Sequence, residues 1–172
     1  MFNIGDHVSY RTEGICVVTD IRTESFGNMR DEEYYILAPV KEPNSVLYIP
    51  VNNELLVSKM LPLLSPEQIC DLAKELRDKR IEWKNESRVR NHMLRDIVNM
   101  GDRVSLILLV NTISEKKAEL LAEGRKLTGG DEGMLKRAKK MLLDEFSFNS
   151  DIQDEDTLML VLECKAECGA KN

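Results

Sequence analysis

The hydropathy of this chain changes period once, near Met60-Leu61-Pro62, and that change constrains the fold more than any other feature. Before it, apolar residues come in short β-branched and aromatic runs broken by Gly, Asn and Pro. After it they recur every three or four residues. Side chains alternate across a strand but share a helix face at 3.6-residue spacing, so the two patterns belong to different kinds of element. The sequence predicts an α+β protein: a β domain over residues 1–60, then an all-α domain over 61–172.

Within the first domain, strands are expected over residues 6–10, 15–21, 33–39 and 46–50, with a fifth through Leu55-Leu56-Val57. Turns are expected at Thr12-Glu13-Gly14, Phe26-Gly27-Asn28 and Pro43-Asn44. Short strands so punctuated suggest a small antiparallel barrel. In the second domain, Ser65-Pro66-Glu67-Gln68 opens a helix: Ser65 as N-cap, proline in the first turn, Gln68 closing a capping box. A helical pattern runs from Trp83 to Met100, Gly101 ends it, and Asp102 caps a helix through Leu121. Thr128-Gly129-Gly130-Asp131 reads as a break before a further amphipathic helix. The last helix is expected from Asp154 to about Cys168.

No apolar run approaches the roughly 18 residues that span a bilayer, and the opening Met1-Phe2-Asn3-Ile4-Gly5-Asp6 lacks the basic start of an export signal. The expectation is a cytoplasmic protein without a membrane partner. Cys16, Cys70, Cys164 and Cys168 are irregularly spaced, so no disulfide framework is expected. Cys164 and Cys168 would share a helix face, and with His7 and His92 as the chain's histidines, reduced thiols are a better reading than a metal site. No nucleophile elbow, P-loop or dinucleotide fingerprint is present, and the acidic runs Asp31-Glu32-Glu33 and Asp154-Glu155-Asp156 read as a loop and a helix start. Neither an enzyme nor a cofactor is expected.

The net charge of −6 is unevenly spread. Residues 1–62 carry five basic and nine acidic groups, whereas residues 74–103 carry nine basic and six acidic. Inside that basic stretch lies the single tryptophan, Trp83, among Lys79, Arg80, Lys84, Arg88 and Arg90. Basic side chains neutralise phosphates and an aromatic wedge can open a base step. Equally, Trp83 could anchor a helix in the core beneath a solvated charged face, and the pattern alone favours that reading. Val46-Leu47-Tyr48-Ile49 is similarly open: an interior strand, or an edge offering its backbone to a partner's strand.

The ordered set of motifs resembles the CarD family. Phe2-Asn3-Ile4-Gly5-Asp6-His7-Val8-Ser9-Tyr10, Glu13-Gly14-Ile15-Cys16-Val17-Val18-Thr19-Asp20-Ile21, Glu33-Tyr34-Tyr35-Ile36-Leu37 and Leu47-Tyr48-Ile49-Pro50-Val51 are similar to its first domain. Arg95-Asp96-Ile97, Gly101-Asp102-Arg103, Leu127-Thr128, Asp131-Glu132 and Ala138-Lys139-Lys140-Met141-Leu142-Leu143-Asp144-Glu145-Phe146 are similar to its second. The resemblance covers about residues 1–148. It implies a bacterial transcription regulator with a Tudor/SH3-like antiparallel β-barrel followed by an all-α helical domain. The barrel would add strand to strand to the RNA polymerase β subunit, with Arg22, Leu47, Tyr48 and Ile49 as its contacts. The helical domain would meet promoter DNA weakly and without sequence preference at the upstream edge of the bubble. There Trp83 would act as wedge, with Lys84, Arg88 and Arg90 on phosphates, stabilising the open complex. A monomer is expected. The alternative is an adaptor that binds polymerase or another protein and has no DNA wedge.

Overall fold

Gly14, at φ 75° and ψ −143°, takes a backbone conformation that few side chains tolerate, and it turns the chain from its first strand into its second. The computed structural model describes residues 1–25 and 31–170, so the expected Phe26-Gly27-Asn28 turn lies outside the described residues. The chain divides into two units, Met1–Leu63 and Leu64–Asn172.

The first unit is one antiparallel sheet of β1 (His7–Tyr10), β2 (Gly14–Glu24), β3 (Glu32–Pro39), β4 (Leu47–Pro50) and β5 (Met60–Pro62), in the order β4-β3-β2-β1-β5. Val8, Tyr10, Cys16, Val18, Tyr35, Leu37, Ile49 and Met60 form its core. A bulge in β2 decides which residues face that core. Val18 pairs with Leu37 but Asp20 pairs with Ile36, so one extra residue, Thr19, shifts the register. Thr19 Oγ1 donates to the Ile36 carbonyl at 3.1 Å. Because strand side chains alternate, that extra residue moves Asp20, Arg22 and Glu24 off the face that Cys16 and Val18 occupy. Without it, three charged groups would point inward.

Leu55-Leu56-Val57 is not the expected strand. The Asn53 side chain accepts from the Leu56 amide at 3.1 Å and caps a helical turn, α1 (Glu54–Val57), while the fifth strand is β5, paired with β1.

The second unit holds α2 (Pro66–Leu76), α3 (Ser87–Met100), α4 (Arg103–Ala122), α5 (Gly129–Phe146) and α6 (Glu155–Leu162). Ser65 and Gln68 close their capping box, with the Ser65 amide donating to Gln68 Oε1 at 2.9 Å and the Gln68 amide to Ser65 Oγ at 3.3 Å. Gly101 ends α3 in the left-handed region, and Asp102 caps α4. Leu94, Val98, Leu106, Leu109, Val110, Ile113, Leu142, Phe146, Leu158 and Leu162 meet in its core.

Three boundaries differ from expectation. Gly129 and Gly130 form the first turn of α5 rather than a break, because Thr128 accepts from the Asp131 amide and caps the helix ahead of them. A β-carbon on Gly130 would lie 2.9 Å from Asn91 Oδ1, so glycine is what lets α5 approach α3. The helical pattern before Met100 begins at Ser87, leaving Trp83 outside it. The last helix stops at Leu162, and Cys164 has a positive φ of 56°, so Cys164 and Cys168 do not share a helix face. Among the described residues, no helix is long and apolar enough to cross a membrane.

Candidate functional site

Pairing register sorts the four residues expected on the sheet into two faces. Leu47 pairs with Leu37 and Ile49 with Tyr35, which places both against the core; Ile49 is 4% exposed. Tyr48 pairs with Ile36, and Arg22 with Tyr34, so Tyr48 and Arg22 share the opposite face. Tyr34 bridges them, its ring meeting that of Tyr48 edge-on at 6.1 Å between centroids. Arg22 is half-exposed between Glu24 at 2.6 Å and Asp20 at 3.2 Å. The hydrogen bond to Glu24, then that carboxylate's charge, holds its guanidinium above the ordinary arginine range. This face thus presents Tyr48 and an arginine flanked by carboxylates, while Leu47 and Ile49 turn toward the core. β4 is a terminal strand of the hydrogen-bonded order.

In the second unit, Trp83 sits on the segment joining α2 to α3, outside any helix or strand, in chain fastened at both ends. Near its start the Ile81 amide donates to Thr112 Oγ1 at 3.0 Å, and Arg80 Nε pairs with Glu115 at 2.6 Å, tying the segment to α4. At its far end Arg90 donates to the Lys84 and Asn85 carbonyls at 2.7 and 3.2 Å. The Arg90 guanidinium also lies 4.4 Å from the Trp83 ring centroid, in cation–π range, and Lys116 Nζ approaches at 6.0 Å. Trp83 is half-buried: one part packs against the helical core and the rest is open.

Arg90 corrects an expectation. Two of its nitrogens meet both Asp131 oxygens at 2.8 Å, and the residue is 5% exposed, so its donors are spent inside the fold and it positions Trp83 rather than meeting a phosphate. Burial alone would push the Asp131 carboxyl up. Hydrogen bonds from Arg90 and Thr128 outweigh it and hold the group below the usual carboxylate range. Lys84 is half-buried and pairs with Glu82 at 2.5 Å. Arg88 is exposed at the start of α3, beside an open hollow that it lines with Glu86, His92 and Arg95. Trp83, Lys84 and Arg88 thus lie on or next to one braced segment. Sequence reasoning missed the brace itself, Asp131 and Thr112, since Thr128-Gly129-Gly130-Asp131 reads only as a break.

Residues 2–61 match the family model described as the CarD-like/TRCF RID domain. No curated protein matches the chain. The bulged antiparallel sheet and the matched residues cover the same unit, which is consistent with a CarD-like RNA polymerase-interacting domain. The partner this implies is RNA polymerase.

Proposed function

We propose that the chain is a transcription regulator that acts by binding rather than by catalysis. Its first unit adds β4 to a strand of the polymerase β subunit, with Tyr48 beside the junction. Its second unit sets Trp83 against promoter DNA at the upstream edge of the bubble and stabilises the open complex, one copy per polymerase. The observation that carries the reading is the bracing of Trp83: a half-exposed indole outside any helix or strand, backed by a buried arginine and next to cationic Arg88. An indole that only filled a core would need no such brace. A rigid wedge does, because every rotamer it must freeze on binding weakens the contact.

The basic surface is small, so affinity for free DNA is expected to be weak. Docking on polymerase supplies a high effective concentration instead. A wedge that prefers the unwound junction then shifts the closed–open equilibrium by its differential affinity, about 1.4 kcal/mol for each tenfold.

The test is open-complex lifetime on a promoter fragment with cognate polymerase. The wild-type protein should lengthen it, and Trp83→Ala should lose most of the increase while still binding polymerase. If lifetime is unchanged by either protein on a polymerase that both bind, the chain is an adaptor and Trp83 a core anchor. Tyr48→Asp checks the other face: polymerase affinity should fall about tenfold, on the order of 1.4 kcal/mol, with Trp83 fluorescence unchanged.

A further inference from the structure

Cys70 and Cys168 are 98 residues apart in sequence, yet their sulfur atoms lie 2.7 Å apart. That is a fraction of an ångström beyond the roughly 2.05 Å of a formed disulfide bond. We propose that Cys70 and Cys168 form a reversible dithiol–disulfide couple that is oxidised by hydroperoxides and fastens the end of the chain to α2.

Three features besides the separation support this. The Cys168 backbone amide donates to Cys70 Sγ at 3.0 Å, an interaction that strengthens as Cys70 acquires thiolate charge. A hollow of about 190 Å³, lined by Cys70, Lys74, Cys164 and Lys165, opens onto Cys70 and admits a small peroxide to an otherwise buried sulfur. The segment carrying Cys168 is held in register: Gly169 and Asp151 exchange hydrogen bonds at 2.8 and 3.0 Å, and a β-carbon on Gly169 would lie 2.6 Å from Asp151 Oδ2. Ser150 and Ala170 complete a bridge beside them.

The geometry also divides the roles. Cys70 lines the hollow and its sulfur accepts from the Cys168 amide, whereas Cys168 does not line it, so Cys70 is the attacking sulfur and Cys168 the resolving one; burial pushes the Cys168 thiol up, in keeping with its staying protonated until then. The Cys70 sulfur attacks the hydroperoxide, forming a sulfenic S–O bond and breaking O–O, and the leaving oxygen departs as alcohol or water with the Cys70 proton. Cys168 then attacks the sulfenic sulfur. The S–S bond forms, S–O breaks, and hydroxide leaves as water with the Cys168 proton. Two thiols lose two electrons and one O–O bond gains them. A thiol reductant reverses the change.

The experiment treats the full-length reduced protein with hydrogen peroxide and follows free thiols, intact mass and the non-reduced peptide map. Accessible thiols under denaturing conditions should fall from the chain's four to two, with one peptide pair joining Cys70 to Cys168, fully reversed by dithiothreitol. Cys16, at 0% exposure and pushed up to about 11 by burial, should survive. Cys164→Ser should leave the reaction intact, and Cys168→Ser should abolish the cross-link. Gly169→Ala keeps every thiol but breaks the clamp, and it should slow cross-linking about tenfold or more. A cross-link through Cys164, single-cysteine oxidation without the Cys70–Cys168 pair, or a rate unchanged by Gly169→Ala would each overturn the proposal.

Discussion

Replacing Asp131 with alanine is expected to destabilise the helical unit by about 3–5 kcal/mol, the usual cost of stranding a buried charge. Asp131 is 1% exposed and accepts from Arg90 twice and from the Thr128 hydroxyl once, so its removal leaves a guanidinium that neither water nor another carboxylate reaches. Urea unfolding followed by far-UV circular dichroism measures the loss. A matched pair of apolar replacements, Arg90→Met with Asp131→Leu, should recover most of it, because the penalty comes from the uncompensated charge and not from the absence of attraction. The paired variant should nonetheless lose the open-complex effect, since the cation behind Trp83 is gone. Equal loss in the single and paired variants would count against this account. The pH dependence has a definite sign. Asp131 is depressed in the folded state, so its contribution is complete above the unfolded value near 3.8 and is lost as pH falls through the lower folded value. Acid unfolding of the Asp131→Ala protein should therefore be shallower below about pH 4.

What the sequence made legible is what short-range rules govern. Ser65 with Gln68, Gly101 and Asp102 each mark a helix end through a contact three or four residues away, and each is where the local chemistry places it. The misreadings have the same kind of cause. Leu55-Leu56-Val57 has strand composition, but the Asn53 side chain captures the Leu56 amide and closes a helical turn first. Gly129-Gly130 looks like a break until Thr128 caps ahead of it, and a β-carbon at 130 would press on the Asn91 side-chain amide.

The candidate site was legible in its membership and not in its construction. Trp83 among basic residues is visible in the sequence, whereas the partner of Arg90 lies 41 residues downstream and nothing local announces it. Arg88 and Arg90 are indistinguishable by composition. They point apart because two residues turn a helix by roughly 200°, leaving one in solvent and the other on Asp131. The sheet gives the same lesson through the Thr19 bulge, which reverses the facing of Arg22 by one unpaired residue. The cysteines show the limit most plainly. Spacing associated Cys164 with Cys168, but the fold brings Cys168 to Cys70.

Phe146→Ala should cost about 3–5 kcal/mol, as large aromatic truncations in a packed core do, and its consequences should reach Trp83. Phe146 is 1% exposed at the end of α5, and its carbonyl accepts from both the amide and the hydroxyl of Ser150, at 3.1 and 2.7 Å, starting the turn toward α6. Its ring belongs to the same apolar cluster as Leu142, Ile152 and Leu158, so a cavity there loosens α5 against α6 and α4. Asp131, the anchor of Arg90, lies in the first turn of that same α5. Native-state hydrogen exchange should show α4, α5 and α6 losing protection while β1–β4 keep theirs, since the sheet has a separate core built on Tyr35, Leu37 and Ile49. Because the chain has one tryptophan, its fluorescence reports on the brace directly: it should become more quenchable by iodide in Phe146→Ala under native conditions. Polymerase binding through the first unit should persist, and the gain in open-complex lifetime should shrink. Were the sheet amides to lose protection in step with the helices, the two units would be one cooperative structure, and the variant would weaken docking as much as it weakens the wedge.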